Sequence, residues 1–168
     1  MQASNLRSQA MAAQAVHAAE FDEGAERSAQ ALRLLTQARN AAFAEAAQGR
    51  VGLGLSMLSQ ALEHEPLSHD LLSDMAALLL SAGELAHAAT HAYRALELTP
   101  EHGPSLYTLG FAMSGLGEYA AAKEALQSLM QGPALASLMH EAPDLLPLVQ
   151  IELQRLQDMG CSDEAPAA

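Results

Sequence analysis

Residues 104–133 read PSLYTLGFAMSGLGEYAAAKEALQSLMQGP, and this stretch decides the fold class. Apolar side chains recur at three- and four-residue steps on both sides of Gly117, which is typical of two amphipathic helices joined by a tight turn. Pro104 suits the first turn of a helix, where a missing N–H costs least. The stretch therefore predicts a helix–turn–helix unit.

The same unit recurs along the chain with a constant step. Gly49, Gly83 and Gly117 are each separated by 34 residues. Pro66 and Pro100 keep this step, whereas Pro133 comes one residue early. Two further series also keep it: Ala42, Ala76 and Gly110, and Gly54, Ala88 and Ala122. Several positions that share one offset predict an internal repeat rather than chance similarity in an alanine-rich chain.

The second unit has the local signals of a helix pair. Ser68 can cap a helix through HDLLSDMAALLLSA, and Gly83 can take the positive φ that ends it. Pro100 then stops the second helix, ELAHAATHAYRALEL.

These residues resemble the tetratricopeptide repeat. The pattern of Leu-Gly, then Gly-x-Tyr, then Ala is present in residues 104–133, and AYRALELTP is similar to the characteristic end of a repeat. The resemblance covers about residues 35–133. It implies an all-α fold, a right-handed superhelix of antiparallel helix pairs.

The repeat divides the chain into consecutive parts. We expect an N-terminal helical segment at 1–34, repeats at 35–66 (degenerate), 67–100 and 101–133, a C-terminal capping helix at 134–160 and a disordered tail at 161–168. In the capping helix an apolar stripe is expected at Leu145, Leu148, Val149, Leu153 and Leu156, with Gly160 at its end. The N-terminal segment can pack on the repeats, self-associate or stay mobile, and a homodimer stays open.

Composition excludes several kinds of partner. The net charge is −12, and the 8 basic residues are scattered, so neither nucleic acid nor an anionic membrane is an expected partner. No apolar run approaches the roughly 18 residues that span a bilayer, and the N-terminus lacks the apolar core of a secretory signal. We expect a cytoplasmic protein without membrane insertion.

The resemblance also implies where a partner binds. In tetratricopeptide-repeat proteins the first helix of each pair lines a groove that receives a peptide or helix. The corresponding residues here are Arg39, Phe43, Ser73, Ala77, Leu80, Tyr107, Phe111 and Ser114. Large apolar side chains in such a groove are candidate anchors for a partner segment. For Phe43, Phe111 and Tyr107, filling the core between repeats is the competing interpretation.

The expected function is protein binding, as an adaptor or scaffold. The clamp of Lys and Asn residues by which one branch of the family grips chaperone tails is absent, because the matching positions hold Arg39 but then Phe43, Ala77, Pro104 and Thr108. A narrower alternative is a bacterial type III secretion chaperone for translocator proteins, which this chain resembles in plan. Its apolar groove would hold a segment of the client protein.

Catalytic and metal sites have weak support in the sequence. No serine has the flanking glycines of a nucleophile elbow, so we expect neither an enzyme nor a cofactor. His87 and His91 lie four apart on one helix face and could hold a metal ion, which is the alternative function of another class. His64, His69 and His102 are interpreted as surface or turn residues.

Overall fold

The computed structural model describes Glu26 and residues 29–162, and within that part of the chain all regular structure is helical. This confirms the predicted all-α fold, and none of the described helices is long and apolar enough to cross a membrane. The elements are α1 (residues 29–47), α2 (Val51–His64), α3 (His69–Ser81), α4 (Leu85–Leu98), α5 (Gly103–Gly115), α6 (Tyr119–Leu129), α7 (Gly132–Glu141) and α8 (Leu146–Ser162), with a 3-10 turn at Pro143–Leu145.

The chain divides into two compact units, residues 1–40 and 41–168. In the first unit residues 29–40 are helical, with Leu32 and Leu34 exposed and the Thr36 hydroxyl donating to the Leu32 carbonyl. Most of the expected N-terminal segment lies outside the described residues, as do residues 163–168 of the expected tail.

Three glycines make the turns inside the helix pairs of the second unit. Gly49, Gly83 and Gly117 have φ values of 81°, 79° and 84°, a conformation that costs glycine little and other residues more. The predicted positive φ of Gly83 is thus confirmed. Ser68 caps α3 as predicted, since its hydroxyl accepts a hydrogen bond from the Leu71 amide.

Consecutive helices of the second unit pack on each other, and alternate helices also meet. In particular α3 contacts α5 and α5 contacts α7. We call α3, α5 and α7 the inner row. The outer helix α4 turns a face of alanines, Ala88, Ala92 and Ala95, towards its neighbours, and all three are fully buried. Such small side chains let helix axes approach closely, which explains how so few aromatic residues fill the core.

The C-terminal end differs from the expected single capping helix. It consists of two helices, α7 and α8, separated at Pro143. Pro133 does not end a repeat as Pro66 and Pro100 do, because it lies in the first turn of α7, as Pro104 does in α5. A Gly-Pro dipeptide therefore begins two of the three inner-row helices, α5 and α7.

Two details of the predicted cap are also wrong. Leu148, expected in the buried stripe, is exposed, whereas Val149 and Leu156 are buried. The helix does not end at Gly160 but continues through Ser162. Leu148 and Val149 are adjacent on α8 and therefore about 100° apart around the helix, so a buried face centred on Val149 and Leu156 leaves Leu148 exposed.

Candidate partner-binding face

The predicted site residues of the second unit lie mainly on α3 and α5. We call Ser73, Ala77 and Leu80 of α3 with Tyr107, Phe111 and Ser114 of α5 the inner face. Tyr107 and Phe111 form its centre, with ring centroids 4.5 Å apart and an angle of 34° between the rings. Both side chains are half-buried and also contact the core around Leu106 and Leu126. They therefore combine a packed side with an accessible one.

The remaining apolar residues of the set are also accessible in part. Ala77 and Leu80 are half-buried on α3, and Phe43, in the last turns of α1, is 39% exposed. Arg39 is half-buried, in the first unit. Burial raises the pKa of the Tyr107 phenol, so the phenol is neutral at physiological pH and acts as an apolar surface with one polar end.

The two predicted serines are buried. Ser73 is 5% exposed and Ser114 8% exposed. The Ser114 hydroxyl donates to the Glu152 carboxylate, and it accepts from Nη2 of Arg155 at 2.6 Å. Both partners belong to α8, so Ser114 joins α5 to the C-terminal helix and is not accessible to a partner.

An ion pair on α8 completes this junction. Arg155 Nε donates to the Glu152 carboxylate at 2.8 Å, and this hydrogen bond lowers the pKa of Glu152 and raises that of Arg155. The guanidinium also lies over the Tyr119 ring, 5.8 Å from its centroid. Arg155 is therefore committed to contacts within the domain.

The charge of the inner row follows from the sequence once the structure shows which helices form the row. The segments HDLLSDMAALLLS, GPSLYTLGFAMSG and GPALASLMHE of α3, α5 and α7 contain no Lys or Arg. Their charged side chains, apart from histidine, are the carboxylates of Asp70, Asp74 and Glu141. Arg94 and Lys123 lie on the outer helices α4 and α6. The inner row is thus apolar with an acidic bias.

The structure separates the histidines into two groups. His87 is exposed, and its Nδ1 lies 3.4 Å from Oε2 of Glu84. Nδ1 of His91 lies 3.0 Å from the carbonyl oxygen of His87 in the same helix. His102 was interpreted as a surface or turn residue; it does lie in the connection before α5, but it is 5% exposed and so is not a surface residue. It occupies the N-cap position of α5 without a side-chain capping bond, and its ring contacts His69 of α3 and Glu141 of α7. The sequence feature that could have indicated a position at the start of an inner-row helix is the Gly-Pro dipeptide that follows His102.

Comparison with known proteins found likeness in structure alone. No protein-family model matches the sequence, and no curated protein matches it. The tetratricopeptide-repeat domain of Sgt2 from Aspergillus fumigatus has a TM-score of 0.64 at 21% identity, over 79% of this chain and 85% of that chain.

Two further structures are similar to the chain. The first tetratricopeptide-repeat domain of Spaghetti (RPAP3), bound to the HSP90 peptide SRMEEVD, has a TM-score of 0.62 at 13% identity, over 75% of this chain and 94% of that chain. The TPR2AB domain of yeast Sti1, in complex with pHSP90, has a TM-score of 0.61 at 15% identity, over 73% of this chain. The matched part is 46% of the Sti1 chain, about half its length. Together with the repeated helix pairs, these likenesses show that the chain has the tetratricopeptide-repeat fold.

Proposed function

We propose that this chain is a non-enzymatic protein-binding module, an adaptor or scaffold that holds a segment of a partner protein on its inner face. The observation that carries the proposal is the stacked pair of Tyr107 and Phe111. Both side chains pack on the core on one side and are only half-buried. Rigid aromatic side chains are the usual anchors of protein interfaces, because they bury much area at little conformational cost. The Spaghetti and Sti1 domains, bound to HSP90 sequences, support peptide binding by this fold.

The first prediction concerns these anchors. Peptides selected from a random display library against the chain should bind it, and Tyr107→Ala with Phe111→Ala should weaken their binding at least about tenfold, or about 1.4 kcal/mol. The reason is that the two substitutions remove the aromatic rings that would contact the peptide. Fluorescence anisotropy with the labelled peptides measures the affinities.

A matched control separates binding from folding. Tyr93→Ala removes an aromatic ring that is 47% exposed on the outer helix α4, and it should leave affinity unchanged. Because Tyr107 and Phe111 also contact the core, Ala77→Gln provides a second variant that crowds the inner face without removing a core ring. Equal affinity of the wild type and both inner-face variants would exclude this face as the binding site.

The inner row also favours one class of segment. With Asp70, Asp74 and Glu141 and without Lys or Arg, α3, α5 and α7 offer no cation of their own to a carboxylate-rich peptide. The net charge of −12 also disfavours the binding of a carboxylate-rich peptide, at longer range. We therefore expect an apolar segment flanked by Lys or Arg, in contrast to the acidic HSP90 peptide held by Spaghetti.

The second prediction tests this charge preference. A selected peptide with Lys at its flanking positions should bind at least about tenfold more tightly at low salt than the same peptide with Glu there. The difference should shrink as salt is raised to about 0.5 M, because exposed charges are then screened. The peptide SRMEEVD serves as a third ligand. Binding of SRMEEVD as tight as that of the Lys peptide would contradict the expected partner class.

A further inference from the structure

The contact between α3 and α5 brings together two histidines from different repeats. His69 is the first residue of α3, and His102 immediately precedes α5. Their rings meet edge to face, with centroids 5.2 Å apart and an angle of 82°. Asp70 lies beside them, its Oδ1 3.5 Å from Nε2 of His69. Each of the three residues offers one ligand atom, and these atoms lie within 4.8 Å of one another.

His102 is held in a fixed orientation inside this group. It is buried, and its Nδ1 lies 2.8 Å from the Ser105 hydroxyl. Without an ion, Nε2–H donates to the Glu141 carboxylate and Nδ1 accepts from the Ser105 hydroxyl; an ion bound at Nε2 places the ring proton on Nδ1, where Ser105 accepts it. Metal-binding imidazoles are oriented in this way by a hydrogen bond at the other ring nitrogen. On the Nε2 side the Glu141 carboxylate follows at 3.2 Å, and it accepts in turn from the Ser137 hydroxyl.

We infer that His69, Asp70 and His102 form a binding site for a divalent transition-metal ion of the zinc type. Two imidazoles and a carboxylate are the ligands that zinc takes in proteins, whereas calcium and magnesium prefer oxygen ligands throughout. Glu141 lies outside the group whose ligand atoms are within 4.8 Å of one another, and we assign it as a hydrogen-bond partner of the bound ion's water. The site uses none of the inner-face residues, although Asp70 and Glu141 also contribute to the acidic charge of the inner row.

The donor atoms need only a small movement to enclose an ion. Ligand atoms of a tetrahedral zinc site lie about 3.3 Å apart, given metal–ligand distances of about 2.0 Å. His102 is fixed by burial, but His69 and Asp70 are half-buried and can turn towards it. Because α3, α5 and α7 carry no Lys or Arg, no cation of the inner row opposes the ion.

The exposed pair His87 and His91 is the weaker site. It supplies only two ligands, both from one helix, and no third ligand-bearing side chain is grouped with them among the described residues. The side chain of His87 is 71% exposed, so an ion there would compete with free solvent around it. These two histidines serve as the matched control for adventitious binding by histidine pairs.

The experiment uses untagged, chelator-treated protein and zinc chloride as the probe, with a chromophoric chelator as competitor. The wild type should bind one equivalent of zinc with micromolar or tighter affinity, and its melting temperature should rise with zinc. His69→Ala and Asp70→Asn, at half-buried positions, should each weaken binding at least about tenfold and reduce the rise. His87→Ala/His91→Ala should match the wild type in both measurements.

Circular dichroism of the metal-free variants checks that each is folded before zinc is added. Cobalt(II) gives an independent readout, since a site of this kind should produce visible absorption that His69→Ala lacks. The inference is overturned if the wild type binds no zinc at micromolar concentration, if His69→Ala binds as the wild type does, or if the single equivalent is lost in His87→Ala/His91→Ala. The last two outcomes mean adventitious binding elsewhere.

Discussion

Replacing Leu126 by Ala is expected to lower the free energy of unfolding by about 2–5 kcal/mol. Leu126 is fully buried in the core shared by α5, α6, α7 and α8, so the lost methyl groups leave a cavity that helices on several sides would have to close. Chemical denaturation followed by circular dichroism measures the change. Leu53→Ala, at a leucine 49% exposed on α2, is the control and should change stability by less than about 1 kcal/mol.

The same site allows a test of the packing partner. A Cβ on Gly110 would lie 2.4 Å from Cδ2 and 2.5 Å from Cγ of Leu126, so Gly110→Ala in the wild type should be destabilising by about 1 kcal/mol or more. In the Leu126→Ala background that clash is gone. Gly110→Ala should then become neutral or stabilising, by up to about 1 kcal/mol from helix propensity. Additive effects of the two substitutions would show that Gly110 and Leu126 are not packed on each other.

Gly54→Ala is expected to destabilise the second unit by about 1–3 kcal/mol. The added Cβ would lie 2.5 Å from the carbonyl oxygen of Ala42, which is backbone and cannot move aside without shifting α1 from α2. Leu78 follows at 3.2 Å from the other side. Thermal unfolding should show a correspondingly lower melting temperature.

Gly52 offers a matched control two residues away on the same helix. A Cβ at Gly52 meets no atom within 4 Å, so Gly52→Ala should stabilise by up to about 1 kcal/mol through helix propensity alone. Opposite signs at Gly52 and Gly54 are therefore expected. If both substitutions stabilise, α1 and α2 are not packed as closely as the structure has them.

Much of the fold could be predicted because it depends on local signals. The step of 34 residues from Gly49 to Gly83 and Gly117 reflects a backbone requirement, a positive φ in each turn, that a sequence displays directly. Ser68 and Pro104 likewise act within one helical turn of their own position. Such signals need no knowledge of distant residues.

The candidate site could be predicted only in part. The repeat places Tyr107 and Phe111 on one face of a helix, but only the structure shows that Ser114, on the same face, is buried by Glu152 and Arg155 of α8. The fourth helix pair was missed because α7 begins earlier than the step predicts, after a short α6. A constant step no longer predicts where a helix begins when the preceding helix is shorter than its counterparts in the other repeats.

By itself, then, the sequence determined the helix pairs of the repeats and the glycine turns within them, because these follow from backbone conformation and spacing within a few residues. Only the tertiary structure decided which helices form the inner row, which polar side chains are buried, and that His102 rather than His87 or His91 lies in a cluster with a second histidine. Those outcomes depend on how helices from different repeats pack against each other, and no local pattern specifies such contacts.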